Sequence, residues 1–340
     1  MLRTETHVLA LRETFQIARG AADEEPVVAV ELEHDGVLAR GEGAPVDYWG
    51  ETTGTMREAL EAEGEALLGD DLFALEDISA RLKAWDGPQG AKMALDGALH
   101  DWLGRRVGQP LRHLLGTARV TPPTSYTIGI DSVEGTADRT RRATGYEVLK
   151  VKVGGPGDLE RLRAVRAETG ARIRIDGNEG WDIDTARDLT PDLIELGVEF
   201  VEQPFPAADL DSFRAYRALE PRLPVLIDEG CKDLGSVAGI AGYADGIAGY
   251  ADGIVIKLSK CGGIREALRM IHAARALDLK VMLGCMIESE LGIAQAAQLG
   301  SLADYIDLDG HLLISSRPFS GLGLQDGRLV LSDGPGLGVQ

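Results

Sequence analysis

Residues 146–155 read YEVLKVKVGG. The centre, Leu149-Lys150-Val151-Lys152-Val153, alternates apolar and cationic side chains, and such alternation with β-branched residues predicts a strand. Side chains two apart share a face. Lys150 and Lys152 therefore point one way and the three apolar residues the other. Alone, this is a half-exposed strand with solvated lysines, the ordinary place for Lys. The chain is poor in lysine, however. Of its 35 basic residues eight are Lys, and two of the eight stand on this one short strand.

Outward from that strand, similar runs recur from about residue 121. They are TSYTIGI (124–130), EVLKVKV (147–153), RIRID (172–176), VEFVEQ (198–203), PVLIDEG (224–230), GIVIKLS (253–259), KVMLGCM (280–286) and DYIDLDG (304–310). Between them lie segments such as IREALRMIHAARALDL, with apolar residues at helical spacing. Strands alternating with helices give parallel β/α units, and eight of them predict a closed (β/α)8-type barrel. In such a barrel the chemistry sits at the C-terminal strand ends.

The first 120 residues read as an α+β domain. PVVAVELEHDGVLARGEGAP is a strand hairpin turned at His-Asp-Gly, and helices such as AKMALDGALHDWLGRRV follow. Residues 121–315 hold the barrel. The Gly-rich tail, 316–340, carries one more hairpin signal, GLQDGRLVL, and is expected to pack back on the first domain. The heptapeptide IAGYADG occurs at 240–246 and again at 247–253. Two copies are too few for a repeat architecture. The first is read as a neutral enlargement of the connection before GIVIKLS.

Hydrophobic content of 44% and charged content of 26% are those of a water-soluble globular chain. No apolar run approaches 18 residues, so no membrane span is expected. The first residues lack the pattern of a signal peptide. Cys231, Cys261 and Cys285 are too scattered for a disulfide framework or a zinc site, and a cytoplasmic location is expected. The net charge of −20 disfavours nucleic acid and anionic membrane as partners.

Three acidic residues close three consecutive strands: Asp176, Glu202 and Asp228, spaced 26 residues apart at each step. One β/α unit per step sets them side by side at the barrel mouth. Their parity is opposite to that of Ile175, Val201 and Ile227, which would face the helices. Clustered carboxylates need a cation among them, and Mg²⁺, a hard ion that prefers oxygen ligands, suits them. Lys152 ends the strand before Asp176, and Lys257 the strand after Asp228. A substrate carboxylate on the metal would hold its α-carbon between two lysines. A base on each face of one carbon is the geometry of 1,1-proton transfer, and the metal would stabilise the enediolate. Lys150, by like-charge repulsion, would lower the pKa of Lys152. Asp307 and Asp309 share a face on the eighth strand, across the mouth from the triad, and suit a substrate ammonium. A dipeptide carries both features.

The K-x-K strand, the Asp/Glu/Asp triad and the second Lys resemble the enolase superfamily, muconate-lactonizing subgroup. Asp307-Leu308-Asp309-Gly310 resembles the Asp-x-Asp signature of the dipeptide epimerases, whose type activity is on L-Ala-D/L-Glu. The likeness runs through FQIARG, GEGAPVDYWGE, AKMALDGALHDWLG, KLSKCGGIREAL, LGCMIESELG and DGPGLGV. It implies a modified (β/α)7β TIM-type barrel under an α+β capping domain built from both chain ends. It implies Mg²⁺ at Asp176, Glu202 and Asp228, acid/base roles for Lys152 and Lys257, and the dipeptide ammonium on Asp307 and Asp309. It further implies that Thr127 contacts substrate, that loops around Arg19 and Tyr48-Trp49 close over the site, and that Arg19 pairs with a substrate glutamate. Assemblies of like subunits are common among such relatives. Two departures stand out: Asp228 and Lys257 are 29 residues apart, 22 without the duplication, and Gly230 replaces a usual Ser. The alternatives on this scaffold are N-acylamino acid racemase, o-succinylbenzoate synthase or a muconate-type cycloisomerase. Outside catalysis, the alternative is a small-molecule binding barrel.

Overall fold

The computed structural model describes residues 1–242 and 249–340. The chain opens with an antiparallel sheet of β1 (Leu2–Ile17), β2 (Gly20–His34) and β3 (Val37–Gly43) in that order. The β2–β3 turn has Asp35 at φ 52° and Gly36 at φ 71°, two left-handed residues in a row as a two-residue hairpin requires. Helices α1 (Thr53–Leu68), α2 (Leu75–Ala84) and α3 (Gln89–Arg106) follow. α3 is buried on nearly every side because it lies between the sheet and the barrel. On one side it meets β3 backbone to backbone: a Cβ on Gly43 would lie 1.9 Å from the Gly90 carbonyl oxygen. On the other, Asp96 accepts the Ile264 N–H at 2.6 Å. Its polar side chains are buried with it, among them Lys92, Asp96, His100 and Asp101.

After α4 (Leu111–Leu115) and β4 (Val120–Pro123) the barrel begins. β5 (Tyr126–Ile128), α5 (Val133–Arg142), β6 (Val148–Lys152), α6 (Asp158–Glu168), β7 (Arg172–Asp176) and α7 (Ile183–Glu195) form its first half. β8 (Val198–Glu202), α8 (Leu210–Arg217), β9 (Val225–Ile227), α9 (Leu234–Ala241) and β10 (Gly253–Lys257) continue it. α10 (Leu258–Cys261), α11 (Ile264–Ala276), β11 (Lys280–Gly284), α12 (Glu290–Ala297) and β12 (Tyr305–Asp307) complete it. β5 to β12 pair in chain order as one parallel sheet. Ser125 N–H donates to Ile306 O at 3.0 Å across the ends, which closes the ring. Each of the eight expected runs forms one barrel strand, and the architecture is the expected (β/α)7β barrel with an antiparallel-sheet and helix cap.

The tail adds α13 (Gly310–Leu313), β13 (Gly323–Gln325) and β14 (Arg328–Val330), and β14 pairs with β4. It reaches back to the end of the cap: Leu337 N–H donates to Asp101 Oδ1 at 2.7 Å and Leu111 N–H to Gly336 O at 2.8 Å. The expectation about the first IAGYADG copy falls largely on residues 243–248, outside the described residues.

Parity along the strands builds the site. Leu149, Val151, Ile173, Ile175, Val201, Ile227, Ile254 and Ile256 join the core under the helices. The opposite parity points into the barrel. There Phe200, Leu226, Val255 and Met282 pack together as a floor. Two residues further along the same strands come Glu202, Asp228, Lys257 and Gly284, one pleat above it.

Candidate active site

Burial overturns the solvated-strand reading of YEVLKVKVGG. Every residue of β6 is buried, with Lys150 3% and Lys152 7% exposed. Lys152 pairs in register with Asp176, and Asp176 with Glu202. Glu202 pairs with Leu226, so Asp228 stands two residues beyond that level, the stagger that tilted strands of a closed barrel impose. The three carboxylates are 0%, 0% and 1% exposed.

The buried ammonium groups lie on these acids. Lys152 Nζ is 2.7 Å from Asp176 Oδ2 and donates to Asn178 Oδ1 at 3.0 Å. Lys257 Nζ is 2.7 Å from Asp228 Oδ2. Lys150 Nζ is 3.0 Å from Asp176 Oδ2, 2.7 Å from Glu202 Oε2 and 2.7 Å from Asp307 Oδ2. Lys150 thus has three carboxylates around it as well as its neighbour Lys152. Burial works to lower its pKa, but Asp176, Asp307 and Glu202 together raise it well above the ordinary value. It is the counter-ion that lets three carboxylates share the barrel interior.

The opposing pressures separate the acids. Burial raises Asp176, yet Lys150 and Lys152 pull it below the usual carboxylate range; burial raises Asp228, and Lys257 and Lys260 pull it down in the same way. Glu202 is pushed up to about 8, by burial first and by Asp176 next. Glu202 Oε1 has no hydrogen-bond partner among the described residues, and Oε2 meets only the Lys150 ammonium. Among the described residues no three His, Cys, Asp or Glu groups converge as a ready ligand set; lysines lie among the acids instead. The donor chemistry nonetheless fits a hard divalent cation: three buried carboxylates, one with an orphaned oxygen.

Asp307 and Asp309 part company. Asp307 points inward and is consumed by Lys150 and by Ser125 Oγ at 2.5 Å. Asp309 accepts the Thr127 N–H at 2.6 Å, and burial followed by the nearby Asp307 pushes its carboxyl up to about 7. Of the two, Asp309 is the group with no cation paired to it among the described residues. Thr127 meets Asp309 through its backbone N–H, and its side chain adds to the same hold on the carboxyl.

Over this layer lies a cavity of about 320 Å³, walled by Phe15, Ile17 and Tyr48 from the cap and by Thr127, Lys152, Lys257 and Asp309 from the barrel. That is pocket size for a small ligand. Arg19, at the β1–β2 turn, lines it too, but its guanidinium pairs with Glu229, lies 3.6 Å from Glu179 and sits 5.0 Å over the Tyr48 ring. Lys232 of the barrel rim sits 5.2 Å over the Trp49 ring. Both loops named from the sequence therefore meet the rim.

Four residues escaped sequence reasoning. Lys260 donates to Asp228, to its carbonyl and to Cys231 O at 3.0 Å. Its signal was the second lysine in KLSK, one helical turn after Lys257. Asn178 joins Lys152 to Glu229, and Gln203 Oε1 accepts the Asp228 N–H at 3.0 Å. Asn178, Glu179 and Gln203 have φ of 42°, 67° and 34°, conformations that concentrate at functional sites.

Comparison with known proteins follows the same line. Residues 133–340 match the "Enolase C-terminal domain-like" family and residues 3–116 the "Mandelate racemase / muconate lactonizing enzyme, N-terminal domain" family. The chain is 38% identical to L-Ala-D/L-Glu epimerase of Bacteroides thetaiotaomicron, over 97% of this chain and 85% of that one. It is 37% identical to L-Lys-D/L-Arg epimerase of Methylococcus capsulatus, over 99% and 98%. A crystal structure of the dipeptide epimerase from Methylococcus capsulatus, complexed with Mg and the dipeptide L-Arg-D-Lys, superposes with a TM-score of 0.90 at 34% identity, over 100% of this chain and 98% of that one.

Proposed function

The chain belongs to the mandelate racemase/muconate lactonizing enzyme family of the enolase superfamily, and we propose that it is a magnesium-dependent dipeptide epimerase. It inverts the α-carbon of the C-terminal residue of a dipeptide. The observation that carries this reading is the pair of buried lysines, Lys152 and Lys257, held by carboxylates on opposite sides of the strand-end layer. The dipeptide ligand and metal of the similar Methylococcus structure support it. The cap is taken as residues 1–120, the barrel as 121–315 and the returning tail as 316–340.

Asp176, Glu202 and Asp228 would hold the magnesium ion. When bound, it supplies the charge that anchors the substrate carboxylate and takes up the negative charge that develops there. One lysine, as the free amine, accepts the α-proton from one face, so one C–H bond breaks. The other, as ammonium, delivers a proton to the opposite face, so one C–H bond forms. No electron is gained or lost, and the two lysines exchange roles for the reverse reaction. Asp228 and Asp176 orient the two side chains. Asp309, fixed by Thr127, accepts the ammonium of the N-terminal residue. Asp307 keeps Lys150 in place below. Phe15, Ile17 and Tyr48 close the cavity from above and exclude water.

Proton NMR in D₂O with Mg²⁺ tests this. A panel of L,L-dipeptides including L-Ala-L-Glu should lose the α-proton signal of the C-terminal residue and gain the other epimer. Exchange confined to N-acyl amino acids would favour the racemase instead, and no exchange on either would refute epimerisation.

A further inference from the structure

At the seam between cap and barrel lies a pair of acids that the proposed chemistry does not use. Glu42 of β3 is 0% exposed and Glu288, just ahead of α12, is 1% exposed. Neither is in an ion pair among the described residues. Glu42 accepts Ser289 N–H at 2.9 Å and the Ser289 hydroxyl. Its backbone is stitched to Gln295, N–H to Oε1 at 2.8 Å and O to Nε2 at 2.9 Å. Glu288 Oε1 accepts Met286 N–H at 3.0 Å and approaches Ser259 Oγ at 3.4 Å, while Oε2 is buried without a partner among the described residues. The two carboxyl groups meet over Gly292: a Cβ there would lie 2.6 Å from Glu42 Oε1 and 2.8 Å from Glu288 Oε2. Only glycine leaves that space open.

The charged and titratable groups facing Glu288 are few. Glu42 comes from the cap, Lys257 from the end of β10 and Cys285 from the same turn. Burial, with Glu42 adding to it, pushes Glu288 up to about 8; burial pushes Glu42 up to about 7. Lys257 opposes this rise without reversing it, and two carboxylates facing each other do not both ionise readily.

The turn that Glu288 holds is part of the site. Cys285, Met286 and Ile287 line the cavity. Gly284 pairs in register with Lys257 on one side and with Asp307 on the other. Gly310, next to Asp309, lies so close that a Cβ would come 2.4 Å from Met286 O. The wall between the acid/base lysine and the proposed ammonium-holding aspartate therefore rests on the Glu288 carboxyl.

We propose that Glu288 is a positioning residue: as a neutral acid opposed to Glu42, it fixes the Cys285–Ile287 wall beside Lys257 and ties that wall to the cap. Its ionisation loosens the wall, and activity falls on the alkaline side. The kinetic consequence rests on the epimerase reading; the protonation state does not.

Two measurements on the full chain test the proposal. The infrared difference between wild type and Glu288→Gln should contain the carbonyl band of a protonated carboxyl at pH 7, and the band should titrate away near pH 8. Its absence at pH 7 overturns the proposal, whether or not any dipeptide is turned over. The second measurement is the pH profile of kcat/KM for α-proton exchange on L-Ala-L-Glu. Glu288→Gln, which mimics the neutral acid, should keep activity within about threefold at pH 7 and lose the alkaline limb near pH 8, whereas Glu288→Ala should lose about tenfold or more in kcat. Profiles of wild type and Glu288→Gln that overlay at every pH would overturn the positioning role even if the band is found. Failure of wild type to exchange any dipeptide would instead count against the epimerase reading, with the infrared result still deciding the rest.

Discussion

Replacing Asp309 by Asn removes a charge and almost nothing else. The side chain is isosteric, and its oxygen can still accept the Thr127 N–H that Asp309 accepts at 2.6 Å. A hydrogen bond to a charged group is worth about 1.5–3 kcal/mol, so Asp309→Asn should cost a free-amine dipeptide about 10- to 150-fold in kcat/KM. An N-acetylated dipeptide has no ammonium to lose and should change little. The pH dependence sharpens the test. The Asp309 carboxyl is pushed up to about 7. At pH 6 about a tenth of it is ionised, so binding an ammonium costs about 1.4 kcal/mol more than at high pH. The substrate amine itself deprotonates near pH 8, so the wild-type KM for a free-amine dipeptide should fall roughly fivefold from pH 6 to about pH 7.5, while that of Asp309→Asn does not fall. The same raised pKa makes this group withdraw stability from the fold as pH rises from its ordinary value of 3.8 through about 7. The variant should be at least as stable as wild type at pH 8. Steady-state α-proton exchange on L-Ala-L-Glu and its N-acetyl derivative, with thermal melts, measures all of this. Equal losses on both substrates, or an unchanged pH slope in the variant, would refute the assignment.

Other outcomes follow from named contacts. Lys260→Met breaks a buried pair and leaves Asp228 without its fixed partner, which should cost about 3–5 kcal/mol in denaturant unfolding; a loss under 1 kcal/mol would show that Lys257 alone suffices. Gly43→Ala drives a methyl into the Gly90 carbonyl of α3 at 1.9 Å, where only backbone could yield, and should cost about 1–3 kcal/mol or more. A melting temperature equal to wild type would contradict the packing described. Arg19→Ala releases the β1–β2 turn from Glu229 and Glu179. KM should rise by a similar factor for L-Ala-L-Glu and L-Ala-L-Leu, and a rise confined to the glutamate substrate would support the reading of Arg19 as a side-chain contact.

The barrel was legible because strand parity and strand spacing are local properties. Asp176, Glu202 and Asp228 could be placed on one face from their offset to Ile175, Val201 and Ile227 alone, and the floor formed by Phe200, Leu226, Val255 and Met282 obeys the same rule. What local pattern could not give is how far a long side chain reaches. Lys150 and Lys152 share a face, but only the assembled barrel shows Lys150 among carboxylates from β7, β8 and β12 while Lys152 meets Asp176 and the Asn178 amide. The same limit hid the difference between Asp307 and Asp309, two residues apart on one strand end. Lys260 was missed because it sits beyond the strand, on the first turn of α10, and folds back on Asp228. Glu42 and Glu288, 246 positions apart, approach one position over Gly292 from two layers, and no periodicity reports it.

In the proposed epimerase, two lysines serve opposite faces of one carbon. The direct test is deuterium incorporation from D₂O by Lys152→Ala and Lys257→Ala, each assayed on both epimers of L-Ala-Glu. Neither variant should epimerise, and each should still exchange the α-proton of one epimer, a different one for each variant. Exchange of the same epimer by both variants, or of both epimers by either, would contradict the two-base arrangement.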